Sequence, residues 1–365
     1  MTNNPFKLKI LDRYIIRKFL GTFFYAITLI LIIVIIFDIS EKIDDFIEKE
    51  APIKAIIFDY YFNFIPYFTN LFSALFTFIA VIFFTSKMAS NSEIVAILSS
   101  GLSFNRFLKP YLISAVVLAL LSFMLTNFVI PVTSKNLILF ENTYIKRINK
   151  NKEVDIHMQI SPGTFVYMEN YNPYKATGYR FTMEKMNDTG MFYKMSAEQI
   201  VWDSIKQSWK IQNYYLRNIN GLHETLKKGK EIDTLLGFRP EELHISVENA
   251  KTMGFWELRK FIKTEKMKGA ENIIEFDIEK HRRIAFPFAT IVLTFIGVSL
   301  SSRKVRGGIG MHLGFGITIS FAFILFMQIS TTFAVNGNLP PIVAVWLPIL
   351  LFGILGVYLL RMAPK

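Results

Sequence analysis

Stretches of about 20 mainly apolar residues constrain this chain before anything else does, because a helix of that length spans the hydrocarbon core of a bilayer and a soluble domain has no room for several. Phe19–Phe37 and Tyr111–Ile130 meet this length directly, and a third stretch lies within Tyr60–Ser86. That one carries Pro66, which a membrane helix absorbs as a kink. Three more follow at Ile284–Leu300, Leu313–Val335 and Ile342–Leu360. No small-residue cleavage site follows the first stretch, so it reads as a span and not as a cleavable signal. A hydrophobic content of 52% and a mean hydropathy of +0.35 agree with a polytopic membrane protein.

The loops orient these spans, since Lys and Arg favour the cytoplasmic side. Lys7, Lys9, Arg13, Arg17 and Lys18 precede the first span. The next loop, Asp38–Lys54, carries Asp38, Glu41, Asp44, Asp45, Glu48 and Glu50 against three lysines, which places it outside. Lys87, Arg106 and Lys109 mark an internal loop, as do Arg303, Lys304 and Arg306, whereas Asn336–Pro341 has no basic residue. Both termini are therefore expected in the cytoplasm. The net charge of +12 follows from this asymmetry. No recognition helix, zinc finger or sustained basic run makes nucleic acid a partner. The chain has no cysteine, which removes disulfides and thiolate metal sites.

Three regions result: residues 1–132 with spans one to three, 133–283 as an extracytoplasmic domain, and 284–365 with spans four to six. Within the middle region, Thr164–Glu169, Tyr179–Lys185, Met191–Asp203 and Ser208–Arg217 are rich in aromatic and β-branched residues and read as strands. Asn187-Asp188-Thr189-Gly190 and Ser204–Gln207 read as turns. A meander or jelly roll of antiparallel strands is expected, flanked by helix-compatible segments at Ser134–Asn149 and Phe255–Lys268. The fold class is thus membrane α-helical, six spans arranged three plus three, with an inserted extracytoplasmic all-β, jelly-roll-like domain.

No catalytic chemistry is visible. The chain contains neither a phosphate-cradling G-x-x-x-x-G-K-[ST] loop nor a G-x-S-x-G elbow, and Arg306-Gly307-Gly308-Ile309-Gly310 follows no strand. His157, His223, His244, His281 and His312 lack metal-ligand spacing. Asp59 and His312 sit at span edges, so ion coupling has little to work with. This chain is read as binding no cofactor or metal, and any ATP hydrolysis belongs to a separate subunit.

The internal loop Ser86–Ser103 is the most informative segment. Ser92 is placed to cap a short helix and Gly101 to end it, with Ile94, Val95, Ile97 and Leu98 forming an apolar stripe beside Glu93. An exposed stripe on so short a segment calls for a protein partner, with an interfacial helix resting on lipid headgroups as the alternative.

Four motifs stand in order along the chain: Leu11-Asp12-Arg13-Tyr14, the segment Ser92-Glu93-Ile94-Val95-Ala96-Ile97-Leu98-Ser99-Ser100-Gly101, His281-Arg282-Arg283-Ile284-Ala285-Phe286-Pro287-Phe288, and Leu339-Pro340-Pro341 with Trp346-Leu347-Pro348. Together they resemble the LptF/LptG (YjgP/YjgQ) family, the permease subunits of the lipopolysaccharide-export ABC transporter. The resemblance implies a multi-pass protein of a Gram-negative inner membrane that pairs with a second permease and binds a cytoplasmic ABC ATPase dimer, which holds the ATP and Mg. It implies that lipopolysaccharide enters laterally between spans one and five and passes to periplasmic jelly-roll bridge proteins. Carried onto this sequence, Ser92, Glu93, Ile94, Val95, Ala96, Ile97, Leu98 and Gly101 couple to the ATPase. Lys42, Arg282 and Arg283 are the cations offered to lipid phosphate, although Asp38-Ile39-Ser40-Glu41-Lys42 is acidic for such a rim. The competing reading is a membrane-anchored periplasmic binding or scaffold protein that works without an ATPase.

Overall fold

A computed structural model describes residues 9–145, 153–188, 190–221, 223–240, 243, 250–268, 273–305 and 307–362. Lys7, residues 146–149, Thr189, His244 and Arg306 lie outside the described residues. The chain divides into two compact units, residues 1–146 with 277–365, and residues 147–276.

Among the described residues six helices are long and apolar enough to cross a membrane: α1 (Ile10–Glu48), α2 (Ile53–Ser90), α4 (Phe104–Tyr144), α6 (Ile273–Ser301), α7 (Gly308–Asn336) and α8 (Pro341–Met362). A seven-residue helix, α3 (Glu93–Ser99), lies between α2 and α4. Most run well past the apolar stretches that announce them. Helix α1 has 39 residues and α4 has 41, so each is about 60 Å long at 1.5 Å per residue, twice the hydrocarbon thickness. The extensions are charged, as in Asp38–Glu48, because helix formation outside lipid needs no apolarity. The segment from Ser134 onward is thus no separate connector but the continuation of α4 as far as Tyr144.

Two widened turns interrupt this regularity, each followed by a proline. Residues Ile56–Tyr61 of α2 are π-helical ahead of Pro66, and Leu125–Val129 of α4 are π-helical ahead of Pro131. Proline leaves a carbonyl one turn back without its N–H partner, a costly loss where no water can replace it. In the turn ahead of each proline an asparagine amide adds a donor to the helix backbone: Asn63 Nδ2 donates to the Phe58 and Asp59 carbonyls at 3.1 and 2.9 Å, and Asn127 Nδ2 donates to the Phe123 carbonyl at 2.9 Å.

Helix α2 is the hub, with α1, α4 and α7 all packing on it. Lipid provides no hydrophobic drive for helices to associate, so close backbone approach at small residues has to hold them. At Gly297 of α6 a Cβ would lie 3.0 Å from Val81 and 3.1 Å from the Phe78 ring, both on α2, and Gly316 of α7 abuts Ile82 in the same way. At the α3 end of this unit, Ile15, Phe19, Val81, Met88, Phe107 and Tyr111 form a fully buried cluster. Only 22% of the apolar stretch of α1 and of α7 is buried, against 61% of that of α6.

The second unit carries β1 (Glu153–Ser161), β2 (Thr164–Asn172), β3 (Thr177–Asn187), β4 (Gly190–Asp203), β5 (Ser208–Asn220) and β6 (His223–Thr234). They form one antiparallel sheet in the order β1-β2-β3-β4-β5-β6. Of the two expected arrangements this is the meander, every strand pairing only with its sequence neighbours, with no crossover among the described residues. Short turns dictate it. In the β4–β5 turn, Asp203 accepts the Ile205 and Lys206 amides at 2.9 and 3.1 Å, and these N–H groups, Lys206 first, hold its carboxyl below the ordinary value. Helix α5 (Phe255–Lys268) follows the sheet and buries Leu258 and Ile262 with Ala250 and Phe276.

The sheet has one transverse irregularity. Core-facing side chains alternate as Met195 and Ala197 on β4 and then resume at Ile200, as Val166 and Met168 on β2 and then Tyr171, and as Trp209 and Ile211 on β5 and then Tyr214. Alternation of period two therefore slips by one residue in each of these strands. The slips lie level across the sheet at Asp155, Glu169, Arg180, Glu198, Asn213 and Lys230, positions missing from registers that continue unshifted on either side of them, as in Tyr179↔Gln199 and Phe181↔Ala197. Asp155, Arg180 and Asn213 sit there at φ of 57°, 51° and 50°. Because all strands slip together the pairing survives, and the sheet keeps an apolar face on both sides of the line. Side chains along the row hold to one another, Arg180 to Glu169 and Asn213 to Glu198, both at 2.6 Å.

Two outcomes follow from this packing. Gly297→Leu should lower the unfolding midpoint of the purified protein by the equivalent of about 1–3 kcal/mol of overpacking, while Gly314→Leu, with nothing within 4 Å of its Cβ position, should not. Asn213→Val should cost about 1–2 kcal/mol in the left-handed region and Asn213→Gly little. Equal midpoints for these two would show that the slip does not depend on that backbone conformation.

Candidate functional site

Helix α3 is built by its ends. Ser92 occupies the residue before it at φ 62°, and its carbonyl, not its side chain, starts the helix by accepting the Ala96 amide at 3.0 Å. The side-chain cap expected of Ser92 is not formed, since the left-handed backbone aims the hydroxyl away. Gly101, at φ 86°, ends the turn with its N–H on the Leu98 carbonyl at 3.0 Å.

The apolar stripe does not lie open as expected. Ile94 is 1% exposed and joins the buried cluster that includes Ile15 and Phe19 of α1, Met88 and Ala89 of α2, and Phe104 and Phe107 of α4. Ile97 and Leu98 are half-buried against the same cluster. Of the four stripe residues only Val95 is exposed, at 60%. The reason is geometric: two turns of helix have one apolar face, and that face closes the end of the cluster. The outward face consists of Ser92, Val95, Ala96 and Ser99, continued by Ser100 and Gly101, all exposed. It is small, shallow and uncharged.

Glu93 is turned toward α1. Its carboxylate accepts the Tyr14 hydroxyl at 3.0 Å and the Asn91 side-chain amide at 3.3 Å. Two residues before Tyr14, Asp12 is 1% exposed and receives a two-pronged contact from Arg106 at the start of α4, Nη1 and Nη2 each donating at 2.6 Å, and a third hydrogen bond from the Lys9 amide at 2.9 Å. A fork of this kind fixes orientation as well as distance. Sequence reasoning noted Asp12 and Tyr14 only as parts of a motif and used Arg106 only to orient a loop. The available signal was an acid inside a basic terminal segment.

The three cations offered to lipid phosphate each meet an acid on their own helix. Lys42 pairs with Asp38 at 2.8 Å and bonds the Tyr60 hydroxyl, while Tyr61 donates to Asp38 at 3.2 Å. Arg283 is buried and its Nε lies 3.2 Å from Glu279. Arg282 is the most open, with its side chain 40% exposed and 4.0 Å from Glu279. Among the described residues no group of His, Asp or Glu has a metal-holding arrangement. His312 is buried with Nε2 3.0 Å from the Arg303 carbonyl, bracing the α6–α7 turn, and His157 packs on Tyr167 with ring centres 4.6 Å apart.

Compared with known families, residues 13–362 match the one described as lipopolysaccharide export system permease LptF/LptG. No curated protein matches the chain.

The seating of α3 is testable through its two faces. Ile94→Ala should destabilise the purified protein by about 2–4 kcal/mol through an unfilled cavity, and Val95→Ala should leave it within about 0.5 kcal/mol of the parent. The opposite ranking in thermal unfolding would mean that α3 presents its other side.

Proposed function

The chain belongs to the LptF/LptG family of lipopolysaccharide export permeases, and from that premise we propose that it is one of two paired inner-membrane permeases driven by a separate cytoplasmic ATPase dimer. The ATPase, which binds ATP and Mg, docks on the segment Ser92–Gly101. One observation carries this reading: α3 is a short helix held firmly at its inner face by Ile94, while its outer face of Ser92, Val95, Ala96 and Ser99 is left uncovered. Small residues allow a partner's groove to approach closely, and a rigid seat allows what is pushed there to move the spans. Ile97 and Leu98 contribute by holding the seat, and Glu93 by holding α1.

Lipopolysaccharide carries acyl chains, which need an apolar lateral path. Helices α1 and α7 supply the uncovered apolar surface for it, through Phe24, Leu29, Ile32 and Ile36 on one and Phe315, Phe321, Ile324 and Phe333 on the other. Of the three cations, Arg282 has the exposure to reach a phosphate, whereas Lys42 and Arg283 are more fully engaged with neighbouring acids. With basic loops inside, the six-stranded domain faces the periplasm and hands the lipid to jelly-roll bridge proteins.

Val95→Arg should abolish co-purification of the ATPase and lipid release without altering the yield of folded permease. Full ATPase binding with unchanged release would sink the docking assignment, and unchanged release after loss of the ATPase would favour a scaffold that works without one. Orientation has its own check, because the chain lacks cysteine. A single cysteine at Ile205, which is 96% exposed in the β4–β5 turn, should react with a membrane-impermeant maleimide from the periplasmic side. One at Ser99 should react only after the membrane is permeabilised, and the reverse pattern would invert the topology.

A further inference from the structure

We infer that Asp12, Tyr14 and Arg106 are positioning residues that lock α3 to the foot of α1, so that force applied to the outer face of α3 reaches α1 directly. The inference rests on the docking reading above and concerns what happens after docking.

The covalent chain ties α3 only to its neighbours, to α2 through Asn91 and Ser92 and to α4 through Ser100–Ser103. Any link from α3 to α1 has to be made by side chains, and the structure supplies two. The Tyr14 hydroxyl donates to Glu93 at 3.0 Å. Ile15, the next residue of α1, is 0% exposed in the cluster that also takes in Ile94. These contacts transmit motion only if the foot of α1 is itself held in register, and the fork between Asp12 and Arg106 does that, pinning the first turn of α1 to the first turn of α4. With the Lys9 amide completing three hydrogen bonds on a carboxylate that is 1% exposed, the joint resists both rotation and slip. Helix α1 has 22% of its apolar stretch buried, and the side that it buries, through Phe19, Phe23 and Ile27, lies in the same cluster as Ile94. The first turns of α1 and α4 with all of α3 thus form one stiff module, so a displacement of α3 enters α1 at its foot and passes along the face that α1 packs on α2.

The test uses the assembled transporter in phosphatidylethanolamine–phosphatidylglycerol vesicles containing lipopolysaccharide, and reads bound ATPase, ATP hydrolysed, and lipid released per ATP. Tyr14→Phe should keep the ATPase bound and hydrolysing while lipid per ATP falls about twofold to tenfold, the range of one lost hydrogen bond. Asp12→Asn should lower it by about fivefold or more, in the range of measured coupling energies, and the exchanged pair Asp12→Arg with Arg106→Asp should recover most of the loss. A readout independent of the ATPase guards against a purely structural effect. Spin labels on cysteines at Arg17 and Ser100, in the permease alone, should give a narrow distance distribution that broadens in Tyr14→Phe and Asp12→Asn. Unchanged lipid per ATP with an unbroadened distance would overturn the inference, as would loss of ATPase binding in Tyr14→Phe, which would place Tyr14 at docking instead. Failure of Val95→Arg to release the ATPase would defeat the docking reading alone and leave the distance measurement standing.

Discussion

A bilayer interior offers no water to complete a hydrogen bond and no hydrophobic gain for one helix leaving lipid to meet another. Everything in the helical unit answers to those two conditions. Backbone groups are satisfied within long helices, and in the turns ahead of Pro66 and Pro131 the amides of Asn63 and Asn127 give the Phe58, Asp59 and Phe123 carbonyls a donor. Association depends on close contact at a few places, with Gly297 and Gly316 letting α6 and α7 against the same stretch of α2 around Phe78 and Ile82. A hub helix held this way leaves α1 and α7 with broad apolar faces turned outward. The same economy of contact that assembles the bundle makes those two helices available to lipid and to a partner.

At the α3 end a different rule operates. Polar groups there are half-sheltered, and the connection among α1, α3 and α4 is made by charge and shape together: a buried fork on Asp12, a hydroxyl on Glu93, and Ile94 set into the common cluster. A single exposed ion pair would add little. Three hydrogen bonds on one buried carboxylate fix an angle, and a fixed angle carries motion from α3 into α1. The other end of α1 is also occupied by internal pairing, Lys42 with Asp38, Tyr60 and Tyr61, so its charges serve the bundle first.

The β unit solves a different problem, an apolar face on a sheet of six strands without disulfides. Trp209, fully buried and donating to the Phe238 carbonyl at 3.0 Å, anchors that face. The aligned slip at Glu169, Arg180, Glu198 and Asn213 keeps side chains on the core side of both halves of each strand. Four strands were legible because their aromatic and β-branched residues cluster. Strands β1 and β6 were not, since HETLKKGKEIDT is exposed nearly throughout and its conformation comes from pairing with β5.

Whatever depends on composition over a window is legible along the chain: six spans, their division three and three, the inserted β region, the site of the short loop helix and the family motifs. Lipid acts on each 20-residue stretch independently of the others, so no knowledge of neighbours is needed. Which way each helix faces is set by packing in three dimensions. Ile94, Ile97 and Leu98 read as a stripe awaiting a partner, yet they are the inner seat of α3, because an apolar face seeks the nearest apolar surface and that surface belongs to distant parts of the chain. Asp12 and Arg106 stand 94 positions apart and Tyr14 and Glu93 stand 79 apart. No local pattern joins residues at such separations, and the bundle brings them within hydrogen-bonding reach.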